Sequence, residues 1–385
     1  MQYNFDEIIP RRITDSEKWN HYDQDVLPFW VADMDFKSPQ PVIDALHQRV
    51  SHGIFGYPSD NLALKESICN RMQNLYQWEV DPQEILFLPG VVSGFNLIVH
   101  AFTQPGDGVL MQPPVYHPFL IAPNNAKAVR QNAPLIIDEK QHYSIDFDLF
   151  NTAIDAKTKL FLLCNPHNPV GRVFSRSELR NMAEICLQNN IIICSDEIHA
   201  DIIYQNHKHI PIASLDPEIA RRTITLMAPS KTFNIAGLGF SFAIIQNPDL
   251  LREVKKARGG LVSGPNLLGI TAALAAYNHG EEWLQQLISY LGNNWMELNE
   301  FLHSNMPGIK VSPIEGTYLA WLDCRELMLK ESPFEFFLNH ARVACNDGKI
   351  FGIGGEGFAR FNFGCPRQTM QEGLKRMQQA LEKFS

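Results

Sequence analysis

Short runs of consecutive apolar residues alternate with helical patterns through the middle of the chain. The runs that predict strands are residues 85–88, 108–111, 159–164, 191–195, 223–227 and 240–245. Between them we predict a helix over 92–103 and another that reaches about residue 189 and begins at a capping box formed by Ser175 and Glu178. Continuous apolar strands are typical of a parallel sheet covered by helices on both faces. We therefore predict an α/β fold whose large domain contains a mostly parallel sheet flanked by helices.

The pattern changes after about residue 280. A long helical pattern over 281–305 is followed by predicted strands at 316–323 and 357–364 and by predicted helices at 333–342 and 368–383. These elements predict a smaller α+β domain over residues 281–385, after a large domain over 41–280. Residues 1–40 are irregular and rich in aromatic and acidic residues. We expect them to form an arm that contributes to the small domain or to a dimer contact.

Composition narrows the class of protein. The 385 residues are 45% hydrophobic and 19% charged, which is typical of a folded protein with a sizeable core. A net charge of −9 argues against nucleic acid as a partner. The first residues lack the basic and apolar regions of a signal peptide and no apolar run reaches membrane-spanning length, so we expect neither a signal peptide nor a membrane span. The seven cysteines are dispersed without a C-x-x-C pair, so we predict free thiols in a cytoplasmic protein, with no metal site.

Unusual polar residues follow four of the predicted strands. They are Tyr116, Asn168, Asp196 and Lys231. Each alone is more commonly a helix cap or a turn residue. In open α/β sheets, however, ligands bind outside the carboxyl ends of the strands. Together the four place an aromatic ring, an amide, an acid and an amine on one rim, which suits a flat, anionic aromatic cofactor with a ring nitrogen and an aldehyde.

Pyridoxal 5′-phosphate has these features, and each residue has a chemical role toward it. Lys231 would form a Schiff base with the aldehyde. Asp196 would keep the pyridine nitrogen protonated, so that the ring withdraws electrons. Asn168 would donate a hydrogen bond to the phenolic oxygen, and Tyr116 would stack on the ring. The predicted catalytic residues are therefore Lys231, Asp196 and Tyr116.

The phosphate of this cofactor requires hydrogen-bond donors. The turn after residues 85–88 opens a predicted helix whose first amides, around Val92 and Ser93, form an anion site. The hydroxyl of Ser230 is a further candidate donor. His199 either orients Asp196 or fills the space beside it, and the sequence does not separate these two alternatives.

Six segments carry a resemblance to a known family. They are residues 29–36 (Phe-Trp-Val-Ala-Asp-Met-Asp-Phe), 53–57, 165–171, 195–201 (Ser-Asp-Glu-Ile-His-Ala-Asp), 230–238 and 360–366. The chain resembles fold-type-I pyridoxal-phosphate enzymes of the class I/II aminotransferase superfamily over essentially its whole length. More narrowly, it resembles the MalY/PatB-type carbon–sulfur β-lyases, usually called cystathionine β-lyases. The segments 29–36 and 195–201 are the ones most particular to the lyases.

The resemblance implies roles for two more residues. Arg360 would bind the substrate α-carboxylate beside Asn168, although a structural ion pair in the small domain is the alternative. Tyr57 would reach the cofactor phosphate and the substrate in the neighbouring subunit of a homodimer. Many aminotransferases have a phosphate-binding arginine eight residues after the lysine, whereas this chain has Gly239. Such a glycine also occurs in the lyase-like subgroup, so it favours the lyase interpretation.

We therefore predict β-elimination on sulfur amino acids of the cystathionine or cysteine type, giving a thiol, pyruvate and ammonia. Lys231 would remove the Cα proton. An aminotransferase that uses the same residues is the alternative enzyme. A regulatory or binding protein that has kept the fold is the alternative outside enzymes. Trp30, Phe36, Phe55 and Tyr57 are candidates for the pocket of the leaving group, although packing or dimer contact is their commoner role.

Overall fold

A seven-stranded sheet lies at the centre of the larger lobe. The structure is a computed structural model that describes residues 2–384. The strands are β1 (Ile85–Leu88), β2 (Gly108–Met111), β3 (Val129–Asn132), β4 (Thr158–Cys164), β5 (Ile192–Asp196), β6 (Thr223–Met227) and β7 (Ser241–Ile244). Their spatial order is β1-β7-β6-β5-β4-β2-β3. β7 runs antiparallel to both of its neighbours, and the other pairs are parallel. The predicted mostly parallel sheet is confirmed.

Both faces of this sheet are buried, which explains the continuous apolar runs. Along β4, Leu160 and Leu162 pack into the core on one face, while Phe161 and Leu163 pack into the core on the other. A strand in this position has no solvent-facing side, so alternation between apolar and polar residues disappears.

Helices cover the two faces. Those of the larger lobe are Gln40–Ser51, Leu62–Tyr76, Val91–Phe102, His117–Asn125, Phe147–Thr152, Arg176–Gln188, Pro217–Ala220, Pro248–Arg258 and Leu267–His279. Local capping sets several of their first residues. The Asn61 side chain accepts a hydrogen bond from the Leu64 amide, and the predicted capping box of Ser175 and Glu178 is present.

The C-terminal lobe packs two long helices against a small antiparallel sheet. The helices are Glu281–Asn305 and Arg367–Phe384, and the strands, in spatial order, are Lys310–Val311, Leu319–Asp323, Phe358–Asn362 and Asn346–Asp347. The predicted helix over 333–342 is present as a helical segment, although it is not α-helical throughout. It is α-helical only over Pro333–Phe336 and continues as a π-helical turn over Phe337–Ala341. Arg342 then ends it with a left-handed backbone, φ 54°.

The N-terminal segment packs on the C-terminal lobe. Leu27–Pro28 pairs in parallel with Val343–Ala344, and the ring of Phe29 stacks on that of Phe361 with centroids 4.2 Å apart. Phe5, Phe29, Met34 and Phe36 are buried in the same core cluster as this lobe. The predicted domain boundaries near residues 40 and 280 stay predictions.

Four charged side chains fasten this segment, and we call them the arm clasp: Arg11, Lys18, Asp33 and Asp35. Lys18 is fully buried, and its Nζ lies 2.8 Å from Asp35 Oδ2. Arg11 bridges both acids, at 2.7 Å from Asp33 and 2.6 Å from Asp35. The indole of Trp19 also donates to Asp35. The clasp fixes residues 30–36 across the carboxyl ends of the large sheet.

None of the helices within residues 2–384 is long and apolar enough to cross a membrane. All seven cysteines are free thiols, and six of them are buried.

Candidate active site

A cavity of about 190 Å³ opens where β4, β5 and β6 end. Its lining contains Ala32, Gly90, Val91, Val92, Ser93, Tyr116, Cys164, Asn168, Asp196, Ile198, His199, Ser230, Lys231 and Ala236. The structure therefore brings together eight of the predicted residues: Tyr116, Asn168, Asp196, His199, Ser230, Lys231, Val92 and Ser93. Arg360 adjoins the cavity through Asn168, whereas Tyr57 lies outside the cavity.

Lys231 is held with its amine at the cavity wall. Its Nζ donates to the carbonyl oxygen of Ala32 at 2.6 Å, across the interface with the arm. Burial and the nearby charge of Arg360 lower the pKa of Lys231 to about 8, and Asp33 and Asp196 offset only part of that effect. A larger fraction of this amine is therefore neutral near pH 7 than for a surface lysine, as a nucleophile or a base requires.

Asp196 is the last residue of β5 and is buried. One of its oxygens, Oδ1, accepts a hydrogen bond from the Ile198 amide at 3.1 Å. Burial raises the pKa of Asp196 to about 7, and that hydrogen bond and Lys231 counteract the burial only in part. Because burial disfavours its charged form, this carboxylate favours a cationic N–H partner.

Arg360 is a buried guanidinium whose hydrogen-bond partners are all neutral. It donates to Asn168 Oδ1 at 3.1 Å, to the Trp30 carbonyl at 2.7 Å and to Asn346 Oδ1. Its Nε is buried without a partner, and burial lowers the pKa of the group to about 10. Over residues 2–384, no aspartate or glutamate forms an ion pair with it. The alternative of a structural ion pair therefore lacks a partner, and the arrangement suits an incoming carboxylate.

Tyr116 and His199 complete the cavity wall, and Tyr318 packs against His199. His199 is 3% exposed, and its Nδ1 has no hydrogen-bond partner. Burial, together with Lys231 and Arg360, lowers the pKa of His199 to about 3, so the ring is neutral. The ring packs edge-on against Tyr318, whose hydroxyl donates to the same Ala32 carbonyl that binds Lys231. Burial raises the pKa of Tyr116, which is therefore a neutral phenol.

A helix N-terminus forms the opposite end of the cavity. The helix Val91–Phe102 begins one residue before the predicted start, and its first bonded amide is that of Gly94, which donates to the Gly90 carbonyl. The amides of Val91, Val92 and Ser93 precede that bond and have no acceptor within the helix. Ser230 lines the same region, and its hydroxyl donates to the Phe240 carbonyl at 3.3 Å.

Gly239 has a left-handed backbone, with φ of +61°. An arginine at this position would be strained because L side chains rarely adopt that conformation. The local backbone is therefore consistent with the absence of the aminotransferase arginine, and the helix amides remain the anion donors that the structure describes here.

Tyr57 is fully exposed, on a loop whose Ile54 and Phe55 side chains are also largely exposed. Of the other residues considered for the leaving-group pocket, Phe36 packs edge-on against Phe5 at 5.2 Å, which is the packing alternative. Trp30 contributes its carbonyl to Arg360 rather than its indole, which donates to the Lys18 carbonyl.

Sequence reasoning missed the contribution of the arm backbone. The carbonyl oxygens of Trp30 and Ala32 bind Arg360 and Lys231, and a backbone acceptor leaves no mark on residue identity. Asn346 and Tyr318 were also missed. The one available signal was the unusual segment 29–36, which was singled out without a role for its main chain.

The residues present fit pyridoxal 5′-phosphate. The cavity offers an amine for the aldehyde at Lys231 and a carboxylate for the ring nitrogen at Asp196. The Asn168 side chain accepts from Arg360 through its oxygen, which leaves its amide N–H groups for the phenolic oxygen. The helix amides and Ser230 suit the phosphate. The unpartnered Nδ1 of His199 shows that this wall has hydrogen-bonding capacity that the protein does not use itself.

Comparisons with known proteins agree with this geometry. Residues 24–377 match the family described as aminotransferase class I and II. Cystathionine beta-lyase PatB from Bacillus subtilis is 42% identical over 98% of this chain and 100% of its own. Cystalysin from Treponema denticola, whose structure contains pyridoxal 5′-phosphate, has a TM-score of 0.96 and 36% identity, with 100% of both chains covered.

A third relative is the pyridoxal-phosphate-bound C–S lyase from Staphylococcus hominis, solved with the inhibitor L-cycloserine. Its TM-score is 0.93 at 35% identity, and the match covers 99% of this chain and 98% of that one. The resemblance to the MalY/PatB-type lyases and the predicted fold class are confirmed. The chain belongs to the aminotransferase class I and II family.

Proposed function

We propose that this protein is a pyridoxal-phosphate-dependent carbon–sulfur β-lyase that releases a thiol, pyruvate and ammonia from amino acids of the cystathionine or cysteine type. The predicted enzyme class and cofactor are confirmed by its similarity to PatB, cystalysin and the staphylococcal C–S lyase. The observation that carries the proposal is a buried Arg360 without an acidic partner, which acts on the pKa of Lys231 and adjoins, through Asn168, the cavity lined by the buried Asp196.

Each residue then has a task in the reaction. When bound, pyridoxal 5′-phosphate would supply an aldehyde for the substrate amine and a protonated ring that withdraws electrons. Arg360 binds the α-carboxylate through its terminal nitrogens and so orients the Cα–H bond. Lys231 accepts the Cα proton, because its lowered pKa leaves Nζ available as a base near neutral pH. Asp196 holds the proton on the ring nitrogen.

The arm contributes to the relative placement of these groups. Lys231 and Arg360 both donate to arm carbonyls, those of Ala32 and Trp30. Asn362 donates to the carbonyls of Val31 and Asp33 from the same strand that carries Arg360. The short segment of arm main chain from Trp30 to Ala32 therefore connects the base, Lys231, with the carboxylate-binding Arg360.

The decisive experiment is turnover of cystathionine by the purified holoenzyme without any 2-oxo acid. We expect pyruvate and free thiol in equal amounts, with Lys231→Ala as the inactive control. Absence of both products would refute the proposal. Amino transfer that requires an added 2-oxo acid would instead favour the aminotransferase alternative, which the comparisons support less. Parallel assays with cystine and cysteine would identify the preferred leaving group.

We also propose that the protein is a homodimer in which Tyr57 reaches the cofactor site of the neighbouring subunit. Tyr57 is fully exposed, and it is absent from the lining of the cavity in its own chain. Its predicted role at the phosphate and substrate therefore requires a second copy. The exposed side chains of Ile54 and Phe55 on the same loop supply apolar area for such a contact.

Mixing two inactive variants tests this arrangement. Tyr57→Ala and Lys231→Ala are denatured together and refolded into hybrids. If Tyr57 acts across the subunit interface, each hybrid contains one complete site, and activity is regained. If Tyr57 acts within its own chain, no hybrid has a complete site and the mixture stays inactive. A monomer in sedimentation experiments would also contradict the proposal.

A further inference from the structure

The residue after the lysine is tied to a distant acid. Thr232 is fully buried, and its hydroxyl donates to Asp201 Oδ2 at 2.8 Å. The backbone around it forms a tight turn, in which the Phe233 amide donates to the Pro229 carbonyl at 2.9 Å. A hydrogen bond from Thr232 therefore restrains the turn that presents Lys231.

Asp201 belongs to the segment that carries Asp196 and His199. That segment turns back on itself, since the Ala200 amide donates to the Glu197 carbonyl and the Ile202 amide to the His199 carbonyl. The Asp201 carboxylate thus connects two loops that follow neighbouring strands, β5 and β6. One loop carries the acid for the ring nitrogen, and the other carries the amine.

A cation fixes the other oxygen of this carboxylate. Arg71, on the helix Leu62–Tyr76, places Nη2 at 2.6 Å from Asp201 Oδ1. The guanidinium also lies 5.2 Å from the ring centroid of Tyr277 and 3.8 Å from Glu281. Asp201 is therefore held from two sides, and its free oxygen has a defined direction toward Thr232.

None of these three side chains lines the cavity. We propose that Thr232, Asp201 and Arg71 form a positioning relay that sets where the Lys231 amine lies relative to Asp196. The inference rests on the proposed function, because it assigns these residues to the placement of that lysine. They are positioning residues, and they do not contact the cofactor or the substrate.

The relay predicts a defined consequence for one hydrogen bond. Thr232→Val keeps the shape and the burial of the side chain and replaces the hydroxyl with a methyl group. A small displacement of a reacting group lowers the rate strongly, so we expect kcat to fall roughly 10-fold with KM unchanged. The pH midpoint at which the holoenzyme absorbance titrates should shift by about half a unit or more, because the surroundings of Lys231 change.

The chain offers a matched control. Thr225 lies on β6, the strand that leads into the lysine loop, and it is also fully buried, but its hydroxyl has no partner. Thr225→Val should leave both kcat and the absorbance titration unchanged. Thr232→Ser retains the hydroxyl and should restore both properties to those of the wild type.

The result that would overturn the relay is a Thr232→Val holoenzyme with the wild-type midpoint and a kcat lowered only in proportion to its folded fraction. The hydrogen bond would then be purely structural. The absorbance titration does not require turnover, so it tests the relay even if the wild type fails to release pyruvate and thiol from cystathionine. Failure of the relay and failure of the lyase assignment are thereby distinguishable.

Discussion

The two halves of the site are built in different ways. Asn168, Asp196 and Lys231, which we call the large-lobe half, follow adjacent strands of one sheet and come together through strand order alone. The small-lobe half, Arg360 with Asn346 and the Trp30 carbonyl, is assembled from a strand, a second strand and the arm. Hydrogen bonds in this second half join residues up to 330 positions apart.

The two halves have different tasks: the large-lobe half acts on the reacting bonds, and the small-lobe half binds the substrate carboxylate. The groups that act on the reacting bonds lie at or just after the carboxyl ends of the sheet strands, where ligands bind in open α/β folds. The carboxylate-binding arginine depends on how the arm and the C-terminal lobe pack. Variants in the large-lobe half should therefore alter kcat, while variants in the small-lobe half should alter KM.

The largest effect should come from Asp196→Asn. A neutral amide does not keep the ring nitrogen protonated, and we expect kcat for cystathionine to fall roughly 1,000-fold. Absorbance spectroscopy verifies that the cofactor is still bound. A variant within about threefold of wild-type kcat would break the assignment of Asp196 to this half.

Arg360→Lys should have the next largest effect. A lysine offers a point charge in place of a planar fork, so KM should rise about 100-fold while kcat changes much less. Arg325→Lys is the control, since Arg325 lies in the same lobe and is paired with Asp323. An unchanged KM with a reduced kcat would mean that Arg360 belongs with the chemical groups.

A smaller effect is expected from a substitution in the arm clasp. Asp35→Asn removes the negative charge that pairs with the amine of the buried Lys18. Asp33, whose Oδ1 lies 3.6 Å from that amine, compensates in part. We expect the free energy of unfolding, measured with urea, to fall by about 2 kcal/mol and KM to rise a few-fold. Asp23→Asn should change neither measurably, because that side chain is 80% exposed in its ion pair with Arg342.

The remaining prediction is a pH slope in the stability of the cofactor-free protein, which involves no change in turnover. The pKa of Asp196 is raised from its ordinary value of 3.8 to about 7, so the folded protein binds more protons than the unfolded chain between these values. Stability that is present below pH 3.8 is therefore lost as the pH rises to 7, by up to about 1.4 kcal/mol per unit. Urea titrations should show this slope relative to Asp196→Asn, and parallel curves would contradict it.

Much of the large-lobe half was predictable because apolar runs identify strands and polar residues mark their ends. The direction of a strand was not predictable in the same way. β7 has the same apolar pattern as its neighbours but is antiparallel to both, since orientation depends on the connection and not on the side chains. The helix His117–Asn125 was missed because its two prolines are signals of irregular structure.

The small-lobe half was harder to predict from the sequence. Arg360 was identified only through family resemblance, because its partners are an amide and main-chain oxygens from remote segments. The pattern over 333–342 predicted a continuous helix, yet helical periodicity does not distinguish an α-helix from the π-helical turn at Phe337–Ala341. The partners of Arg360 that sequence reasoning missed, Asn346 and the Trp30 carbonyl, are set by tertiary contacts.

The pairing of the arm with the C-terminal lobe has a consequence for synthesis on the ribosome. Leu27–Pro28 emerges early, but its partner strand Val343–Ala344 is translated more than 300 residues later. At about 5–20 residues per second, the arm waits roughly 15–60 s before it can dock. During that interval Phe29 and Phe36 have no lobe to cover them, so the nascent chain carries an exposed aromatic segment of the kind that chaperones shield.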